Sequence, residues 1–315
     1  MAIYRGDCHV HTHRSHGADL TPERIVAEAH AAGLDFIAVT DHQAAFEPSS
    51  WTDSGLLIIP GQEVLTPDGH WLALGLPPGV VVDSVAAARR FGALCVVAHP
   101  HAPYPGGTFR GRLGDFDAIE VWNGRWHSDL PWQADNESAL ATWAGGHLPA
   151  LGNSDAHLAG QLGSPQLVVE APTLTAPAVL AAIRAGHSWI AGSRAVQVDV
   201  TVTADRMTAR ISGAPAGTAV VHTEHGPIHR ERLPENGSKT VSCALGTVAT
   251  VRLEVRHPDG RMAALTNHPV VTSGPERAGK WHAGWGLACY DGDSASSSSV
   301  NRASGTAAGP ARIRQ

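Results

Sequence analysis

Up to about residue 193 the chain alternates short β-branched runs with Ala-rich stretches of helical spacing. The runs predict strands over Ile3 to Val10, Phe36 to Thr40, Leu56 to Pro60, His70 to Gly75, Leu94 to Ala98, Ala118 to Val121, Ala150 to Gly152 and Gln166 to Val169. Between them, Thr21 reads as an N-cap with Pro22 at the first helical position. Ile25, Val26, Ala29 and Ala32 follow on one face, and Gly33 is the stop. Ser84 to Phe91 and Ala176 to Ala185 read as further helices, closed by Gly92 and Gly186. Strands alternating with helices predict an α/β domain with a mostly parallel sheet over residues 1–193. After Arg194 the pattern changes to strict alternation, as in Val196, Val198, Val200 and Val202, with turn residues such as Pro258-Asp259-Gly260. Residues 194–273 are therefore expected to form a small antiparallel, sandwich-like β domain. Residues 274–315, with the Ser-rich run from Ser294 to Ser299, are too poor in apolar side chains to order themselves and are expected to be a disordered tail.

Composition agrees with this division. A length of 315 residues exceeds what one core usually spans, and 43% hydrophobic against 17% charged residues, with 34 Gly and 21 Pro, suits a compact, turn-rich chain. The formal net charge of -6 lacks the basic excess that phosphate-backbone and anionic-membrane binders use. Long nucleic acid and membranes are thus not expected as partners, whereas a small-molecule substrate is; the sequence is silent on oligomeric state. Cys8, Cys95, Cys243 and Cys289 form no CxxC pair or disulfide framework and read as reduced, mostly buried thiols. The strand pattern at Ile3-Tyr4-Arg5 leaves no room for a signal peptide, and no apolar run approaches a membrane span, so a cytoplasmic location is expected.

The unusual statistic is 19 histidines, twelve of them between His9 and His157. Their placement gives it meaning. The first strand ends Asp7-Cys8-His9-Val10-His11, and a side-chain period of two puts Asp7, His9 and His11 on one side. Other apolar runs lead into Thr40-Asp41-His42, Gly61-Gln62-Glu63, Ala98-His99-Pro100-His101 and Asn153-Ser154-Asp155-Ala156-His157. In a parallel barrel such ends share one face, where active sites are built. One HxH at a strand end could be two half-buried imidazoles satisfied by hydrogen bonds. Five such ends together would gather so many titratable groups that their desolvation and mutual repulsion call for a countercharge, which divalent metals supply.

These residues resemble the PHP (polymerase and histidinol phosphatase) superfamily of metal-dependent phosphoesterases. The resemblance is carried by Gly6-Asp7-Cys8-His9-Val10-His11-Thr12, Ser15-His16-Gly17, Leu20-Thr21-Pro22-Glu23, Phe36 to His42, Gly61-Gln62-Glu63, Gly69-His70, Ala98-His99-Pro100 and Gly152 to His157. It implies a distorted (β/α)7 barrel holding two or three divalent metals, Zn, Mn or Fe, with Mg less favoured. One metal would take His9, His11, Glu63 and Asp155; a second would share Glu63 and add His70 and His99; a third would use His16, His42 and His157. Many relatives carry Asp at the position of His16, and an imidazole there favours a borderline metal over Mg. Asp117 to Gly124, Arg184 to Trp189 and Met262 to Asn267 resemble in particular the CehA/McbA-type metallohydrolase branch, named for carbaryl hydrolysis.

The implied activity is hydrolysis of a small phosphomonoester or diester by a metal-bridging hydroxide. The alternatives are a carbamate, ester or amide hydrolase of the carbaryl-hydrolase type and, less favoured, a catalytically inactive binding module. Asp41 and Asp7 are expected to orient ligand imidazoles. His101, Arg14, His13 and Arg194 are candidates for holding the substrate anion or protonating the leaving group, with Asn123 and Asn153 beside them, and the loops Ala102 to Arg112 and Trp126 to Asn136 are expected to set the substrate. His222, His225 and His229 flank Gly226-Pro227 and read as an exposed hairpin rather than a metal site.

Overall fold

In the computed structural model, which describes residues 1–51, 54–128 and 130–267, the first strand β1 (Ala2–Val10) is followed by the helix α1 (Pro22–Ala32). Thr21 caps α1, its side chain accepting from the backbone of Arg24 at 3.3 Å, and Gly33 in the left-handed region (φ 71) ends it. Ile25 and Ala29 on its inner face join Val10, Leu34 and Ile37 in a buried cluster. There follow β2 (Phe36–Val39), β3 (Leu57–Thr66), β4 (Gly69–Leu74), α2 (Val85–Arg90), β5 (Leu94–Val97) and β6 (Ala118–Asn123). Then come α3 (Asn136–Ala144), β7 (Ala150–Asn153), β8 (Gln166–Ala171), α4 (Ala176–Arg184) and β9 (Ser188–Ala191).

The sheet is less parallel than the pattern predicts. β1, β2 and β3 run parallel, as do β5, β6 and β7, but β4 is antiparallel to both β3 and β5, and β8 is antiparallel to β1 and β9. The cause is local. A parallel link needs a crossover of about a dozen residues or more, whereas only Pro67 and Asp68 separate β3 from β4. Gly69, at φ 110, completes that turn, and a Cβ there would lie 2.6 Å from the Cα of Phe109. Accordingly β3 runs on through Glu63 instead of stopping at Pro60.

At the far edge, β7 packs back against β1, β8 and β9. The backbone N–H of Cys8 donates to Oδ1 of Asn153 at 2.8 Å, and that of His11 donates to the carbonyl of Ala156 at 3.0 Å. The C-terminal ends of β1, β2, β5, β6 and β7 and the middle of β3 therefore surround one point.

The helix α3 was not anticipated, because its inner face carries polar Asn136 beside Ala139, Leu140 and Trp143. Asn136 acts as a splice: its side chain donates to the carbonyls of Asn123, Arg125 and Trp126 and accepts the N–H of Asn123. Beyond β9 come β10 (Gln197–Val202), β11 (Arg206–Ser212), β12 (Thr218–Thr223), β13 (Gly226–Arg232), β14 (Lys239–Ala244), β15 (Val251–Arg256) and β16 (Met262–Thr266). β10, β11 and β14 form a three-stranded antiparallel sheet, while β16, β15, β12 and β13 continue the large sheet through β9. Val198, Val200 and Val202 point inward, as their alternation requires, into a core shared with Trp189, Val221 and Leu253.

Among the described residues no helix is long and apolar enough to cross a membrane. Cys8, Cys95 and Cys243 are buried and free. The tail expected over 274–315 and Cys289 lie outside the described residues.

Candidate metal centre

Glu63 occupies the middle of the cluster, 1% exposed, with both oxygens facing imidazoles. Its Oε2 lies 3.3 Å from Nε2 of His9, 3.3 Å from Nε2 of His11 and 3.0 Å from Nε2 of His42. Its Oε1 lies 2.9 Å from Nδ1 of His70 and 3.1 Å from Nε2 of His99. Asp155 closes the arrangement, its Oδ1 3.3 Å from Nε2 of His9 and 3.1 Å from Nε2 of His11. The ring of His157 packs 4.2 Å from that of His11, and the ring of His42 lies 4.5 Å from it.

The backbone serves these positions at a cost. His99 (φ 25) and Asp155 (φ 53) adopt positive φ, which is rare for residues with a side chain and concentrates at functional sites. His70 reaches Glu63 because β3 and β4 are antiparallel: His70 pairs with Leu65, two positions along the same face from Glu63.

The imidazoles and carboxylates answer one another's charge, and the hydrogen bonding leaves one position open to a cation. Burial opposes ionisation of Glu63, yet His9, with hydrogen bonds from His11, His42 and His70, holds its carboxyl well below the usual range. Asp155 is held down in the same way, against burial, by His9 and His11. Burial likewise opposes protonation of His9, but Asp155, Glu120 and Glu63 pull its pKa well above the ordinary value. Even so, the buried Nε2 of His9 makes no hydrogen bond, although two carboxylates lie within 3.3 Å of it. A buried nitrogen set between two carboxylates without a hydrogen bond fits a divalent ion held among the three. Three groups of ligand atoms converge closely enough to hold one ion each: His9, Glu63 and His99; His9, His11 and Asp155; and His11, His42 and His157.

Eight of the nine expected ligands are thus brought together. His16 is exposed on the turn after Ser15 and belongs to none of these groups among the described residues, although Gly17 next to it lies against the His157 ring.

The orienting groups differ from those expected. Asp7 does not reach an imidazole: its carboxylate accepts the backbone N–H groups of His9, Ser154 and Gly163, and burial pushes its pKa up to about 6. A register shift in β1 between Asp7 and Val10 interrupts the strict alternation there. Asp41 acts at one remove. It accepts from the N–H and hydroxyl of Thr12 and from Oγ of Ser15, and that Oγ sits 3.1 Å from Nδ1 of His11.

The carboxylate that faces Nδ1 of His9 is Glu120 on β6, at 3.2 Å. It also accepts the backbone N–H of His99 and the side-chain amides of Asn123 and Asn153, which accounts for both of those asparagines. Glu120 is a charged residue between Ile119 and Val121 in an apolar run, which is the signal the sequence offers, and it is fully buried there.

The remaining candidates lie elsewhere. His101 turns to Thr142 on α3, with its Nε2 2.8 Å from that hydroxyl. Arg194 lies against Gly33, where α1 leads into the opposite end of β2 from His42. Arg14 donates to the carbonyl of Ala45 and pairs with Glu47, and with His13, Phe46 and Trp51 it lines a cavity of about 290 Å³ beside Thr12 and Asp41. His222, His225 and His229 lie along the hairpin of β12 and β13 and at its turn. Tyr104, not singled out from the sequence, places its hydroxyl 3.5 Å from Nε2 of His99.

Residues 134–188, which include Asp155 and His157, match a family model described as PHP-associated. None of the curated proteins matches the chain in sequence. A two-domain protein from Bacteroides vulgatus, containing a predicted PHP-like metal-dependent phosphoesterase, has a similar crystal structure, with a TM-score of 0.54 at 18% identity over 85% of this chain and 95% of that one. Weaker likenesses are to the lesion-specific endonuclease PfuEndoQ from Pyrococcus furiosus (TM-score 0.44, 20% identity, 64% and 62% covered) and to PsfC from Pseudomonas syringae (0.42, 21%, 57% and 87%). The matched segment is confined to residues 134–188, the likeness to the Bacteroides protein is one of mixed α/β fold, and the grouped His, Glu and Asp side chains fit divalent metal binding.

Proposed function

We propose that the chain is a metal-dependent phosphoesterase acting on a small phosphomonoester or diester. The observation that carries this reading is Glu63, one buried carboxylate whose two oxygens are faced by five imidazoles, with Asp155 on the far side of His9 and His11. That is the donor set of a carboxylate shared between two cations. His9, His11, Glu63 and Asp155 would hold one, and Glu63, His70 and His99 a second. A third would lie at His42 and His157, which His11 also faces, with His16 joining if its turn folds inward. Zn, Mn or Fe suits so imidazole-rich a set better than Mg does.

When bound, such ions acidify a coordinated water at neutral pH and neutralise charge on the attacked group. The chain's own residues do the rest. Glu120 fixes the His9 ring and the His99 backbone, Asp41 and Ser15 fix His11, and the cavity beside Arg14 and Trp51 gives room for the organic part of the substrate.

The reading extends to a distorted barrel-like arrangement of β1 to β9 over residues 1–193 with a β domain over 194–273, and to the CehA/McbA-type branch. Free, buried Cys8, Cys95 and Cys243 suit a reducing, cytoplasmic setting.

The test compares two substrates with one leaving group, 1-naphthyl phosphate and 1-naphthyl N-methylcarbamate, on Mn- or Zn-loaded protein with Asp155→Asn as control. Phosphate turnover abolished in the variant supports the proposal. Carbamate turnover alone overturns it in favour of carbamate hydrolysis.

A further inference from the structure

Tyr104 opens a turn, Tyr104-Pro105-Gly106-Gly107, closed by the N–H of Gly107 donating to the carbonyl of Tyr104 at 3.0 Å. Pro105 at the second position and Gly106 at φ 79 in the third are what a type II turn demands. The loop around it is clamped on both flanks. The hydroxyl of Thr108 donates to the carbonyl of Ala102 at 2.7 Å, Phe109 N–H to Pro100 at 2.9 Å, and Arg110 N–H to Asp68 on the β3–β4 turn at 2.7 Å.

This scaffold aims one ring. The Tyr104 ring lies 5.9 Å from that of His70 and 6.0 Å from that of His99, over the two imidazoles that face Oε1 of Glu63. Its seat depends on Gly107, where a Cβ would come within 2.3 Å of the ring. Gly107 is not among the residues at positive φ, so its lack of a side chain serves the ring rather than the backbone.

The hydroxyl's contact with Nε2 of His99, at 3.5 Å, is long for a hydrogen bond, and that nitrogen already faces Glu63 at 3.1 Å. Once His99 serves as a ligand, its Nε2 has no lone pair to offer the hydroxyl. A half-buried O–H held over the cluster is then left to donate to whatever lies on the ions.

We propose that Tyr104 is a catalytic residue of this site, its hydroxyl donating a hydrogen bond to a non-bridging oxygen of the bound phosphoryl group. The inference rests on the phosphoesterase reading and extends it to a named contact.

The experiment measures inorganic phosphate binding by calorimetry on Mn-loaded wild type, Tyr104→Phe and Gly107→Ala, with metal content and 1-naphthyl phosphate turnover on the same samples. A hydrogen bond to a charged oxygen predicts phosphate binding and kcat lower by roughly 10- to 100-fold in Tyr104→Phe at unchanged metal content. Gly107→Ala, which keeps the hydroxyl but displaces the ring, is expected to fall in the same direction. Phosphate binding and turnover at wild-type levels in Tyr104→Phe would overturn the assignment while leaving the phosphoesterase reading intact, and loss of metal from Tyr104→Phe would overturn it in favour of a structural role. Phosphate affinity unchanged in Gly107→Ala would equally count against it. No phosphate binding by the loaded wild type would overturn both readings.

Discussion

Oε1 of Glu120 lies 3.2 Å from Nδ1 of His9, while Oε2 of the same carboxylate accepts the backbone N–H of His99 at 2.8 Å. One buried side chain on β6 thereby orients a candidate ligand on β1 and the backbone of another after β5. Removing its charge while keeping its shape should loosen both. Glu120→Gln is expected to lower metal affinity by roughly 10- to 100-fold, with the fold retained by circular dichroism; competition with a chromogenic chelator measures it.

The metal-free protein should show a characteristic pH dependence. His9, His11 and His99 have raised pKa values, because Asp155, Glu63 and, for His9, Glu120 outweigh the burial that opposes their protonation. Their contribution to stability is fully present below the unfolded histidine value of about 6.5 and is lost as pH rises through the folded values. Glu63 and Asp155, depressed despite burial, contribute above the unfolded carboxylate values of about 4 and lose that contribution as pH falls through the folded ones. The chelator-treated protein should therefore melt highest between about pH 4 and 6.5 and lower at pH 9. Metal loading should remove the alkaline loss. A chelated sample more stable at pH 9 than at pH 6 would be at odds with this geometry.

Two residues singled out from the sequence should prove dispensable. His101 is spent on Thr142, and Arg194 sits against Gly33 at the other end of the strands. His101→Ala and Arg194→Ala are expected to keep wild-type metal content and turnover within about two-fold, since surface substitutions away from special features change little. A loss of a hundred-fold or more in either would show that the substrate reaches that far.

The candidate ligands were legible because strand ends and turns carry them: His9 and His11 flank the end of β1, His42, His99, Asp155 and His157 follow strand ends, and their order along the chain needs no tertiary knowledge. Glu63 was legible at the end of an apolar run and His70 by motif alone, whereas the antiparallel return of β4 was hidden because the apolar run breaks at Pro60 and masks the two-residue link through Pro67 and Asp68. Glu120 was passed over as one polar residue in an apolar run; its role exists only because Asn123, Asn153, His9 and the His99 backbone meet it in space. Asn136 hid α3 in the same way, since a buried polar side chain looks like an exposed one until its partners are known. Tyr104 sits on a loop whose course depends on the β3–β4 turn beneath it, which no local pattern encodes.

If Glu63 is shared between bound cations, the metal content of the protein depends on it. Inductively coupled plasma mass spectrometry on purified, dialysed wild type and Glu63→Gln should find two to three divalent ions per chain in the first and one or none in the second, with both proteins folded. Wild type without stoichiometric metal after reconstitution with Zn or Mn, or Glu63→Gln with an undiminished complement, would contradict it.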